Sequence, residues 1–107
     1  MPPQNTIAVN TPSIIAGNGS SAVTLLASNT ARRGLSIQNV GTTTAYVLIG
    51  GSASSTVYHY AIKGGTGDND GLGGSISLPM AGCPCPSGIV TVYGASTAKL
   101  TCLEIAP

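Results

Sequence analysis

This 107-residue sequence contains no phenylalanine and no tryptophan, and only seven charged residues, four basic and three acidic. An average soluble domain is about 25% charged; this one is 7%. The strong helix formers are nearly missing too, with two Lys, two Gln and one Glu, which excludes a helical bundle or coiled coil. Four Lys/Arg cannot build the basic patch of a nucleic-acid binder. No apolar run approaches the roughly 20 residues of a membrane span, so no membrane partner is expected. The opening MPPQNT has neither positive charge nor an apolar stretch. It does not read as a signal peptide, and synthesis in the cytosol is expected.

Glycine, serine and threonine fill the space that charge leaves, with 15 Gly, 12 Ser and 12 Thr. Such a surface stays wet but gives copies little mutual repulsion, which favours life in an assembly. Residues 1–13 hold Pro2, Pro3 and Pro12 and read as an extended arm, with a short strand over Thr6–Val9. Strands are expected over Ala22–Ala27, Leu35–Val40, Ala45–Ile49, Thr56–Ile62, Ser75–Leu78, Ile89–Tyr93 and Lys99–Ile105. Leu35–Val40 and Ala45–Ile49, joined across Thr42–Thr44, read as a hairpin. Residues 64–74, with six glycines, read as a long flexible loop or a bulged excursion. In the last strand Leu100, Cys102 and Glu104 fall on one side, and Thr101, Leu103 and Ile105 on the other.

Seven or eight short strands with Gly/Pro/Ser turns predict an all-β fold. The expected form is a single-domain antiparallel β-sandwich, jelly-roll-like, over residues 14–107, preceded by the arm.

Catalysis finds little footing. His59 is the single histidine, set between Tyr58 and Tyr60, and no G-x-S-x-G occurs. The three acids, Asp68, Asp70 and Glu104, form no catalytic pair. Cys83, Cys85 and Cys102 with His59 lack the paired spacing of a zinc site. Cys102 reads as a small core residue, with a bridge to Cys83 or Cys85 left open. Asp68-Asn69-Asp70-Gly71 resembles the start of a calcium loop, but Pro79 stands where the bidentate Glu belongs. No phosphate-binding glycine motif is present. No cofactor, no metal and no enzymatic activity are therefore expected. Arg32 and Arg33 hold half of the basic charge at adjacent positions. They read either as docking groups for an acidic patch on a partner, or as loop residues of which the first makes a local salt bridge.

The segment Arg32-Arg33-Gly34-Leu35-Ser36-Ile37-Gln38-Asn39-Val40-Gly41, followed by Ala45-Tyr46-Val47-Leu48-Ile49-Gly50, resembles a recurrent segment of small tailed-bacteriophage structural proteins. The closing Ala98-Lys99-Leu100-Thr101-Cys102-Leu103-Glu104-Ile105 is similar to the last strand of such proteins, which often ends in a Leu-Glu-Ile run. The resemblance covers about a third of the chain, and it does not extend to the Gly-rich loop or to Cys83-Pro84-Cys85-Pro86. It implies a virion component, above all a capsid decoration or cement protein. Its expected partners are the major capsid protein and further copies of itself, as a trimer, on the capsid surface. The contact residues are then Arg32 and Arg33 together with Pro2, Pro3, Ile7 and Val9 of the arm. The alternative is a tail or head-fibre adsorption module that binds a host-surface glycan through exposed Tyr46, Tyr58, Tyr60 or Tyr93.

Overall fold

The computed structural model describes residues 8–9, 13–78 and 85–106. Nine strands and no helix occur among them. They are β1 (Ala8–Val9), β2 (Ile14–Ala16), β3 (Val23–Leu26), β4 (Gly34–Asn39), β5 (Ala45–Ile49), β6 (Tyr60–Ile62), β7 (Ser75–Leu78), β8 (Val90–Tyr93) and β9 (Lys99–Ala106). They form two antiparallel sheets. One holds β1 and β2 beside β9, then β4 and β7; the other runs β3-β8-β5-β6.

The pairing is nested. β2 pairs β9, β3 pairs β8, β4 pairs β7 and β5 pairs β6, and successive pairs alternate between the sheets. Cross-links β4–β9 and β5–β8 complete each sheet. This is the jelly-roll arrangement, a long antiparallel ribbon folded over on itself. β1 and β2 lie on the same edge of β9. Their registers differ by one residue, Val9 opposite Ile105 but Ile14 opposite Thr101. Together they act as one interrupted first strand, which gives the eight strands of that fold. The sequence between them contains Pro12, which has no N–H to give to a ladder.

Two expectations need correction. Leu35–Val40 and Ala45–Ile49 are not a hairpin, because β4 and β5 belong to different sheets. The link between them is a corner, held by Asn39. Its side chain is 1% exposed. It donates to the carbonyls of Thr43 (2.8 Å) and Ile62 (2.9 Å) and accepts from the Gly41 N–H (3.0 Å). Gly41 lies so close to Thr97 that a Cβ would collide with the Thr97 carbonyl. Nor do residues 64–74 hang free. Gly65 N–H donates to Gly41 O and Asn69 N–H to Val40 O, both at 2.8 Å. Asn69 sits at φ 60°, a left-handed conformation that Asn tolerates.

The core follows from alternation. Leu35, Ile37, Leu100 and Cys102 point inward from one sheet; Ala45, Val47, Ile62, Val90 and Val92 point inward from the other. A register shift between Thr24 and Leu26 lets the consecutive Leu25 and Leu26 both be buried. Cys102 packs in this core, as its position in the strand led us to expect. The strand expected over Thr56–Ile62 shortens to Tyr60–Ile62, because Ser54–Val57 form a turn.

Candidate functional site

Arg32 and Arg33 part company. The Arg32 side chain is fully buried. Its Nε donates to Glu104 Oε2 at 2.8 Å, Nη1 to the carbonyls of Pro86 (2.8 Å) and Gly88 (3.0 Å), and Nη2 to Ala27 O (2.8 Å). All three nitrogens are thus engaged within the chain, so Arg32 is not a docking group for a partner, and its salt bridge is not local but spans 72 positions. Arg33 is exposed. Its backbone N–H donates to Ile105 O at 2.7 Å, which sets it at the end of the β4–β9 ladder. Val9 is paired through its backbone opposite Ile105, so this part of the expected arm belongs to the sheet. Pro2, Pro3 and Ile7 lie outside the described residues.

The outer face of the five-stranded sheet carries an apolar strip. Leu103 stands opposite Ser36, Ile105 opposite Gly34, and Ile14 opposite Thr101. Ile14 and Leu103 are 55% and 41% exposed. Gly34 has no side chain, and Ser36 and Ser77 are short and share a hydrogen bond (3.1 Å). The result is a groove of about 380 Å³ lined by Arg33, Leu103, Ile105, Ser36, Ser77 and Leu78. The sequence carried the signal for part of this strip in Leu103 and Ile105, which fall on the side of the last strand opposite Leu100 and Cys102.

The outer face of the four-stranded sheet gathers three of the four tyrosines. Tyr46 and Tyr93 are direct cross-strand partners with ring centroids 6.5 Å apart. Tyr58 packs on Tyr46 with centroids 4.8 Å apart. Tyr60 instead stands opposite Val47, on the inward side, and packs against the core. The backbone around Tyr58 is pinned on both sides. Thr91, buried on this face, donates to Gly51 O (2.7 Å) and accepts from Ala53 N–H (2.9 Å). Ser54 N–H donates to Val57 O, and its hydroxyl accepts from Val57 N–H. His59 extends the ladder: its N–H donates to Val47 O (2.7 Å) and its Nδ1 accepts from Ile49 N–H (3.0 Å). His59 thus serves as a backbone partner at the end of a strand.

The remaining motifs have local explanations. Both Asp70 carboxylate oxygens accept backbone N–H groups, from Leu72, Gly67 and Thr66, and these bonds hold its pKa below the ordinary 3.8. Asp68 pairs with Lys99 at 2.6 Å. The acids of the suspected calcium loop thus close a loop and tie it to β9. No cluster of three or more metal-ligating side chains occurs among the described residues. Cys85 is a half-buried free thiol and forms no bridge with Cys102. Burial pushes its pKa up; the nearby Arg32 pulls the other way. Cys83 lies outside the described residues.

No protein-family model matches the sequence, and no curated protein matches it significantly. Among solved structures it is similar to a chain from a study titled "Bacillus endospore appendages form a novel family of disulfide-linked pili". The likeness covers 96% of this chain and 88% of that one at TM-score 0.51 and 15% identity. At that identity it speaks for the shared two-sheet fold.

Proposed function

We propose that this chain is a bacteriophage virion structural protein, a decoration subunit that binds the outer capsid shell and stabilises it by burying surface across neighbouring capsid subunits. The observation that carries the reading is the strip of Ile14, Leu103 and Ile105 beside Arg33, on a chain with only seven charges. An exposed apolar strip with a cation at its end suits a mixed apolar and acidic surface on a partner. Arg33, Leu103 and Ile105 lie within the two stretches that resemble phage structural proteins. In this role the protein needs no catalytic group. It acts by mass action, since whatever binds the assembled shell and not its parts stabilises the shell. The trimeric state and the capsid-surface location belong to the same proposal.

Co-sedimentation with undecorated capsids tests it. The expected result is a saturable bound fraction that Leu103→Asp or Arg33→Glu reduces. Absence of the wild-type chain from the capsid pellet would overturn the reading. Light scattering behind a sizing column is expected to give a trimer.

A second reading, a filament subunit, is favoured by the likeness to the spore-appendage chain, whose family is described as disulfide-linked pili. It predicts that the concentrated chain, oxidised in air, forms filaments visible by negative stain that dissolve in reductant. Discrete trimers under the same conditions would exclude it.

A further inference from the structure

The aromatic residues of this protein are placed in an unusual way. A chain with no Phe and no Trp builds its core from Leu, Ile, Val and Ala, and sets three of its four rings on the outer face of one sheet. Buried Tyr contributes apolar area, and exposed Tyr offers a flat apolar face with a hydroxyl at its edge. Here Tyr58 is 43% exposed, with Val57 beside it at 54%.

We propose that Tyr46, Tyr58 and Tyr93 form a carbohydrate-binding platform that takes an uncharged pyranose unit of a surface polysaccharide. Three observations support this occupant. The first is chemistry: a pyranose has an apolar C–H face that stacks on a ring and hydroxyls at its rim that pair with phenol groups. The second is charge. The strands of this sheet and residues 50–59 contain no Asp, Glu, Lys or Arg, which fits a neutral ligand. The third is size. Three rings, none more exposed than Tyr58, offer at most about 300 Å² of accessible aromatic surface, against the roughly 800 Å² per partner of a stable protein interface. That area matches the face of one or two sugar rings.

The platform is also preorganised. Tyr46 and Tyr93 stand on adjacent strands, and Tyr58 follows a turn fixed by Ser54 and by the buried Thr91. His59, next in the chain, holds Val47 and Ile49. Little side-chain or loop freedom is left to lose on binding, and aromatic residues with few rotors are efficient in such sites. The inference stands apart from the capsid reading, because this face and the Ile14–Leu103 strip belong to opposite sheets.

The test is an amide-shift titration of the full chain with defined neutral hexaoses (of maltose, cellobiose, xylose and mannose type), with an alginate hexamer as the acidic counterpart. The expected result is a saturable shift at Tyr46, Tyr58 and Tyr93 with at least one neutral hexaose below about 10 mM. Tyr58→Ala is expected to weaken it about tenfold, and Tyr58→Phe to keep it within about threefold. Tyr58→Phe keeps the ring contact with Tyr46 and is expected to melt like the parent; Tyr58→Ala loses it and is expected to melt several degrees lower but to stay folded. The proposal is overturned if no neutral hexaose moves these residues, or if Tyr58→Ala binds as the parent does. It also fails if alginate binds best and salt abolishes the effect. A concentration-dependent rise in mass that Tyr58→Ala removes would assign the face to a second copy instead. Capsid co-sedimentation by Tyr58→Ala is expected to be unchanged, which separates this site from the decoration role.

Discussion

Arg32 and Glu104, 72 residues apart in the chain, meet at 2.8 Å at the edge of the core. Glu104 lies on the inward side of β9 with Leu100 and Cys102, where an unpaired carboxylate would be costly. The arginine satisfies it and also ties down three carbonyls from two loops. Removing the guanidinium takes the charged partner from a half-buried acid and the Arg32 donors from the carbonyls of Ala27, Pro86 and Gly88. Arg32→Ala is therefore expected to lose about 3–5 kcal/mol of stability, read from urea denaturation. Arg32→Lys is expected to recover only part of it, because an ammonium cannot span the same fork.

Asn39 is the second polar residue in the core, and it holds the corner between the sheets. Asn39→Ala takes the amide donor from the carbonyls of Thr43 and Ile62 and leaves the Gly41 N–H only its longer bond to Lys99 O (3.2 Å). The expected loss is at least about 2 kcal/mol. Asn39→Asp is expected to be no better than Ala, since it offers lone pairs to two carbonyls. Parallel denaturation curves check both.

Acid should loosen the Gly-rich loop before it unfolds the sandwich. The Asp70 carboxylate is held below its ordinary 3.8 by N–H donors. A depressed folded pKa contributes stability that is full above the unfolded value and is lost as pH falls through the folded one. Hydrogen exchange at Thr66, Gly67 and Leu72 is thus expected to show protection that is constant above about pH 5 and lost below 3.8. In Asp70→Ala that protection is expected to be low at every pH.

Cys85 is expected to react slowly at neutral pH. Burial raises its pKa above the ordinary 9.0, so little thiolate is present at pH 7. Iodoacetamide labelling followed by mass spectrometry should show the rate still climbing past pH 9. In Arg32→Ala two effects compete: the lost cation disfavours the thiolate, and the opened loop exposes it. A faster rate would show that exposure dominates.

Much of the fold was legible because alternation carried it. β4, β7, β8 and β9 fall within a residue or two of the apolar periodicity in their segments. Alternation also extends to Asn39, which continues the inward series of Leu35 and Ile37. The pairing of β4 with β5 misled because a short polar link reads alike as a hairpin turn or as a corner between sheets. Only the buried amide at its start distinguishes the two. Arg32 gave no local sign of burial, since Pro86 and Gly88 reach it from 54 and 56 positions away. The tyrosine platform was visible as residue types, but not as a site. Tyr46 and Tyr93 become neighbours only through the pairing of β5 with β8.

The nested pairing bears on how the chain reaches this state. Its innermost pair, β5 with β6, closes across ten residues, whereas β9 must find β1 and β2 at the other end of the chain. Closing long loops is entropically costly before any contact rewards it, so such sandwiches fold in about milliseconds to seconds. β9 lies between β2 and β4, and until it has left the ribosome the first strands have no partner in their sheet. The first sheet is therefore complete only once β9 is available, and the apolar inner faces stay open to other copies until then.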